Sequence, residues 1–246
     1  MNAVVIGGGG HICSELAMGF AEFGANVAVA DLRLEKSQRI ASCLSDDGLS
    51  ARGYQVNAAD RASLEELRDV VIRDLGSIEI LVNGAGINSP KPFLEISDDD
   101  WHAVVDSQLT ATFLGCQVFS TEFLERGKGS IINISSASAE VPLSKAFAYS
   151  AAKAGIRNLT QNLAREWANS GVRVNALRPG FFPTEWNRKN FITPDRERSI
   201  LNHTPMKRFG EPFELVGAAI FLASNASSFV TGSELVVDGG FSSMTI

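Results

Sequence analysis

Val4-Val5-Ile6-Gly7-Gly8-Gly9-Gly10-His11-Ile12-Cys13 lies close to the start of the chain, and its reading decides the fold. A short β-branched run reads as a buried strand, the glycines as a tight turn, and the segment from Ile12 to Phe23 as a helix. Glycines let the backbone approach a ligand closely, and the free N–H groups of the helix start face an anion. The stretch therefore reads as a pyrophosphate cradle; its bland alternative is a flexible glycine loop.

Working outward, the same alternation repeats. Aliphatic runs stand at Ala3 to Ile6, Asn26 to Ala30, Ala51 to Val56, Ile78 to Val82, Ser130 to Ile134, Val172 to Ala176 and Glu234 to Val237. Helix-period segments lie between them: Ile12 to Phe23, Leu34 to Leu44, Ala62 to Leu75, Asp99 to Glu125, Ala148 to Asn169 and Pro212 to Ala223. Continuous apolar strands, each followed by a helix, imply a parallel sheet covered on both faces. The expected fold is α/β: a doubly wound, Rossmann-like sheet of about seven parallel strands, formed by residues 1–246 as one domain. Only the stretch from Pro179 to Pro205 interrupts the rhythm. It reads as irregular, with a substrate lid at about 180–205.

Bulk properties narrow the function. The 246 residues are 45% hydrophobic and 20% charged, with a net charge of -6, an ordinary globular balance without the basic face that nucleic acids require. No apolar run approaches the roughly 18 residues of a membrane span, and no secretory signal precedes the first strand. Cys13, Cys43 and Cys116 lie far apart, which fits reduced thiols in a cytoplasm. The histidines show no ligand spacing, so no metal is expected.

Chemistry-bearing residues collect where the strands end. Asp31 ends the second run and Asn57 follows the third. Asn83-Gly84-Ala85-Gly86 follows the fourth, Ser135-Ser136 the fifth and Arg178-Pro179-Gly180 the sixth. Tyr149 and Lys153 stand four apart on the helix after the fifth, hence on one face. A carboxylate at the tip of the second strand suits two hydrogen bonds to an adenosine ribose and repels a 2′-phosphate, which favours NAD over NADP. Arg33 nearby weighs the other way, and a plain helix-capping Asp31 is the alternative.

In order and spacing these segments resemble the short-chain dehydrogenase/reductase family, over nearly the whole chain. The resemblance implies Ser136, Tyr149 and Lys153 as the chemical centre. A free phenol titrates near 10, and the Lys153 ammonium beside a cationic nicotinamide is expected to lower Tyr149 by about 2–3 units. Tyr149 then moves a proton to or from the substrate oxygen while hydride moves to or from the nicotinamide, and Ser136 fixes that oxygen. The family further implies that Lys153 holds the nicotinamide ribose and that the protein is a homotetramer packed through its two long helices. Cofactor contacts are expected at Gly7, Gly10, His11, Ile12, Asp31, Asn57, Asn83, Ala85, Gly86, Tyr149, Lys153, Pro179 and Gly180.

Several positions depart from the family pattern. Ile6, His11 and Cys13 replace a Thr and two glycines, so Gly10 is expected to supply the close approach. His11 either touches a phosphate oxygen or sits at positive φ, which His tolerates. Cys13 stands where the family glycine allows tight packing of helix on strand, and, being small and apolar, it is expected to be accommodated there. Asn57 replaces an adenine-facing Asp, and Gln108 aligns with the catalytic Asn that supports a water in a proton relay. The segment from Gly180 to Lys189, with His203-Thr-Pro-Met and Arg208-Phe-Gly-Glu-Pro, is similar to members acting on sugar acids and polyols. Phe181, Arg188 and Lys189 are candidate substrate contacts; the two cations suit a carboxylate or are solvated lid charges. Other readings are an NADPH-linked 3-oxoacyl-thioester reductase and a non-catalytic dinucleotide-binding protein.

Overall fold

A computed structural model describes residues 1–184, 188 and 192–244. Seven parallel strands form one sheet in the order β3-β2-β1-β4-β5-β6-β7. They are β1 (Asn2–Ile6), β2 (Asn26–Asp31), β3 (Ala51–Gln55), β4 (Ile80–Asn83), β5 (Gly129–Ile134), β6 (Val172–Pro179) and β7 (Glu234–Val237). Helices connect them: α1 (His11–Glu22), α2 (Leu34–Asp46), α3 (Arg61–Leu75), α4 (Asp98–Val105), α5 (Ala111–Arg126), α6 (Phe147–Trp167), α7 (Pro194–His203) and α8 (Val216–Ala223).

Successive strand side chains point to opposite faces, so the two-sided apolar runs feed two cores. Val5, Val29, Val82 and Ile132 pack on one face against Leu16, Phe20, Leu44 and Leu222. Val4, Ala28, Leu81 and Ile131 pack on the other against Leu64, Val71, Phe119 and Phe123. Each fully buried Val, Leu or Phe contributes about 1.5–3 kcal/mol, so these layers hold the strand ends in fixed register. The chain winds outward through β2 and β3, then returns to β4 on the other side of β1. The carboxyl ends of β1 and β4 thus flank the crevice where open α/β sheets bind ligands.

Several elements differ from the sequence reading, among them the helix read at Pro212 to Ala223, whose first turn, Pro212–Leu215, is 3₁₀. β6 runs on to Pro179 because Leu177, Arg178 and Pro179 pair with Leu235, Val236 and Val237 of β7. The fourth strand begins at Ile80, since the Ile78 N–H is taken by the Glu122 carboxylate instead of the ladder. The long helix read at Asp99 to Glu125 is interrupted by a π-helical turn at Asp106–Thr110. The stretch read as irregular contains α7, whose start is capped by Thr193 with Pro194 in the first turn. No helix among the described residues is long and apolar enough to cross a membrane.

Candidate active site at the carboxyl ends of β1, β4 and β5

The glycine turn is tied down where β1 ends. Gly7 and Gly8 donate their N–H groups to Ala30 O at 2.8 and 2.9 Å. Gly7 has φ +80, and a Cβ there would lie 2.7 Å from the Ala85 N, so only glycine lets the β1 and β4 loops meet. Gly10 was expected to make the close approach, but it is the N-cap of α1, in extended backbone, and the least crowded of the four glycines. His11 is the first residue of α1 and exposed; it does not need positive φ. With no side chain capping α1 and no acidic residue in its first turn, the N–H groups at His11 and Ile12 remain available to an anion. Ile12 packs its side chain on the core below.

Cys13 is buried, and burial pushes its thiol up to about 12, so it is a neutral space-filler. Asp31 lies across the same turn. Its carboxylate accepts from the Gly9 N–H at 3.1 Å and the Arg33 N–H at 3.1 Å. That fixes the carboxylate at the rim of the glycine turn, as an adenosine ribose requires. Asn57 is exposed after β3, and its amide oxygen accepts from the Ala59 N–H at 3.1 Å. Its amide N–H₂ has no partner among the described residues and can meet a base edge.

At the end of β4 the backbone and the side chain part company. The Asn83 side chain, expected at the cofactor, is turned into the sheet and donates to Asn133 Oδ1 at 2.9 Å and Cys116 Sγ at 3.4 Å. Asn133 in turn donates to Thr160 Oγ1 at 3.0 Å. This buried network locks β4 to β5 and α6, and leaves Ala85 and Gly86 to face the crevice. Gln108 sits in the π-helical turn, buried, and donates its amide to Ile87 O at 3.0 Å. The same amide packs against Gly86, where a Cβ would overlap it. Its Oε1 has no hydrogen-bond partner among the described residues.

Ser136, Tyr149 and Lys153 are brought together by β5 and α6. Ser136 follows β5 and caps a 3₁₀ turn at Ala137–Ala139. Its Oγ accepts from the N–H and the hydroxyl of Ser138, both at 3.2 Å, which leaves its own proton to donate. Sequence reasoning missed Ser138; the Ser136-x-Ser138 spacing carries the signal, as an ST motif. Lys153 is 4% exposed and donates to Ile134 O at 2.6 Å, with its Nζ 5.5 Å from the centre of the Tyr149 ring. Burial pushes this ammonium down to about 8, opposed by the neighbouring Cys13. Burial pushes the Tyr149 phenol above its ordinary value, while a hydrogen bond from Ser136 pulls the other way. The expected lowering was that of Lys153 and a cationic nicotinamide together; among the protein groups alone, burial outweighs the hydrogen bond from Ser136. The ammonium lies beside the ring and gives one of its three N–H groups to the end of β5, which leaves two to donate elsewhere. At neutral pH the pair holds a phenol and an ammonium, an arrangement able to donate a proton to a carbonyl oxygen.

The far wall is formed beyond β6. Gly180 donates to Val237 O at 2.9 Å and packs on Asp238, so Pro179 and Gly180 are pinned by β7. Phe181 meets Phe241 edge-on at 5.1 Å, and His203 meets the same ring at 4.7 Å. Arg188 is exposed, with its guanidinium 4.8 Å over the Phe209 ring. Lys189 lies outside the described residues. Behind this wall, Arg178 pairs with Glu140 and Glu234, a cluster that sequence reasoning did not foresee because Arg178 was read only as part of Arg-Pro-Gly.

Known proteins are similar to this chain over nearly its whole length. Residues 10–242 match the family model described as enoyl-(acyl carrier protein) reductase. The chain is 38% identical to D-threitol dehydrogenase of Mycolicibacterium smegmatis, covering 97% of this chain and 92% of that one. It is 35% identical to gluconate 5-dehydrogenase of Gluconobacter oxydans, over 97% and 93% of the two chains. A solved gluconate 5-dehydrogenase from Burkholderia cenocepacia, in complex with NADP and tartrate, is 37% identical with a TM-score of 0.95 over 99% of this chain and 96% of that one. With the seven-stranded sheet, the glycine turn and the full-length similarity in agreement, the chain belongs to the short-chain dehydrogenase/reductase family of oxidoreductases acting on CH–OH groups.

Proposed function

We propose that the chain interconverts a secondary alcohol and a ketone on a sugar acid or polyol, with NAD(H) preferred over NADP(H). The observation that carries the reading is the meeting of Ser136, Tyr149 and Lys153 beside the glycine turn. Residues fit a dinucleotide: Gly7 leaves a cradle that a Cβ would fill, and Asp31 stands at its rim. The turn from Gly7 to Ile12 would hold the pyrophosphate, Asp31 the adenosine ribose and Asn57 the adenine. Ala85, Gly86, Lys153, Pro179 and Gly180 would hold the nicotinamide half. When bound, the nicotinamide supplies hydride transfer. Tyr149 exchanges the proton at its hydroxyl with the substrate oxygen, and Ser136 donates a hydrogen bond to that oxygen.

The related gluconate dehydrogenase was solved with NADP. Against that, the Asp31 carboxylate sets a negative charge where a 2′-phosphate would lie. Resemblance to polyol and gluconate dehydrogenases supports the substrate class. Part of the segment read as a lid at about 180–205 lies outside the described residues; within the described part, Phe181 offers an apolar wall, and Arg188, stacked on Phe209, is able to pair with a carboxylate. Exposed Trp101 on α4 and Phe113 on α5 support association into a homotetramer, and the unpaired cysteines favour a cytoplasmic setting. The experiment is a panel of polyols, aldonates and hydroxyacyl thioesters with NAD⁺ or NADP⁺, read as reduced-cofactor absorbance. Turnover of an aldonate or polyol with NAD⁺ is expected. Turnover of the thioester with NADP⁺ alone would overturn it.

A further inference from the structure

Arg178 closes β6 with a side chain only 7% exposed, and yet it faces two carboxylates. One belongs to Glu140, directly after the 3₁₀ turn that Ser136 caps. The other belongs to Glu234, the first residue of β7, whose Oε2 lies 3.1 Å from the Arg178 guanidinium. Glu234 Oε1 accepts the Ser135 hydroxyl at 2.6 Å, and Arg157 approaches Oε2 at 3.4 Å. Arg157 stands four residues after Lys153, one turn along the same face of α6. The chain of charges thus touches the residue before Ser136, the residue that closes the turn after it, and the helix that carries Tyr149 and Lys153.

Such a cluster is a poor way to gain stability. A buried ion pair roughly offsets its own desolvation, and apolar residues of similar volume often serve better. Here the Arg178 Nε is also buried with no partner among the described residues, a further cost. What charges of fixed geometry provide is register. Ser136 must offer its proton to one point in the crevice, and a displacement of about 1 Å in such a group can cost on the order of a hundredfold in rate. The Ser138 contacts set the Ser136 hydroxyl within its turn but do not fix the turn to the sheet. The Ser135 N–H, given to Leu177 O at 2.8 Å, ties the entry of the turn to β6, and Glu140, 49% exposed, ties its exit through Arg178.

We infer that Glu140 and Arg178 are positioning residues for Ser136, clamping the exit of its turn to the end of β6 and the start of β7. The inference rests on the reading of Ser136 as the hydrogen-bond donor to the substrate oxygen. Four proteins are compared on D-gluconate or D-threitol, whichever turns over faster: the natural chain, E140Q, S136A and the double variant. Glu140 is half exposed, so E140Q is expected to fold, with reduced-nucleotide affinity and Tm unchanged. Its kcat falls about tenfold, with an enlarged primary deuterium isotope effect as the chemical step becomes limiting. On the S136A background E140Q adds no further loss, because the group it positions is gone. A kcat for E140Q within twofold of the natural chain, or losses that multiply in the double variant, would overturn the clamp while leaving Ser136 in place. If S136A is too slow to measure, an isotope effect on E140Q equal to that of the natural chain overturns it. S136A as fast as the natural chain would sink both the clamp and the role of Ser136.

Discussion

Cys13 fills the space that any side chain at Gly84 would need: a Cβ built on Gly84 overlaps the Cys13 sulfur. The family pattern usually has a glycine where Cys13 stands, which lets the first helix approach the sheet. Here the room is found on β4's side instead, at the residue after Asn83. Gly84→Ala is expected to destabilise the fold by roughly 1–3 kcal/mol through overpacking. Cys13→Ala, which removes the sulfur, is expected to relieve much of that loss in the double variant. Chemical denaturation of the two single variants and the double measures the coupling; additive losses would show that the two positions do not share the space.

The pH dependence follows from the shifted groups. Tyr149 is pushed above its ordinary value, so its phenol is neutral throughout an ordinary assay range, while Lys153 loses its proton as pH rises through about 8. Ketone reduction uses a phenol that donates. It is expected to hold steady from pH 6 to about 8 and to decline above, as the ammonium is lost. Alcohol oxidation needs the phenolate and is expected to climb with pH across the whole range. Profiles of kcat/KM in both directions test this. An oxidation rate already level at pH 7 would mean a phenol far more acidic than its burial allows.

Asp31 holds its carboxylate between the N–H groups of Gly9 and Arg33. Asp31→Ser removes the charge but keeps a short acceptor at the strand tip. The ratio of kcat/KM for NAD⁺ over NADP⁺ is expected to fall by about 10- to 100-fold, from loss of ribose hydrogen bonds and of repulsion toward a 2′-phosphate together. An unchanged ratio would remove Asp31 as the determinant and leave Arg33 to be examined.

Strand identity and helix order were legible because they rest on local features, runs of buried aliphatics and a glycine turn; Ser136, Tyr149 and Lys153 came from the family resemblance, with only the four-residue spacing of Tyr149 and Lys153 a local signal. What escaped depends on contacts between distant segments. Gly10 and Gly7 look alike in sequence, and only the approach of the β4 loop to within 2.7 Å of a Gly7 Cβ shows which of them is indispensable. The type of Asn83 suggested a ligand contact, yet its amide is spent on Asn133 of the neighbouring strand. The burial of Tyr149 and Lys153, which pushes the phenol up and the ammonium down, was not legible, because spacing places an amine nearby without telling how deeply both are buried. α7 was missed although Thr193-Pro194 marked its start, because Phe, Pro and Asn upstream hid the periodicity.

Arg188 separates the two substrate classes still in play. Its guanidinium lies 4.8 Å over Phe209, and stacking of this kind orients the fork while leaving its edge N–H groups to bind. An aldonate carries a carboxylate to meet them; a polyol does not. Arg188→Ala is expected to raise KM for gluconate by about tenfold or more, in line with the 1.5–3 kcal/mol of a charge-assisted hydrogen bond, while KM for a neutral tetritol moves less than twofold. kcat should change little for either, because the contact is made equally in ground and transition states. If the two KM values rise together, Arg188 is serving the lid through its contact with Phe209, and the carboxylate must be held by another group.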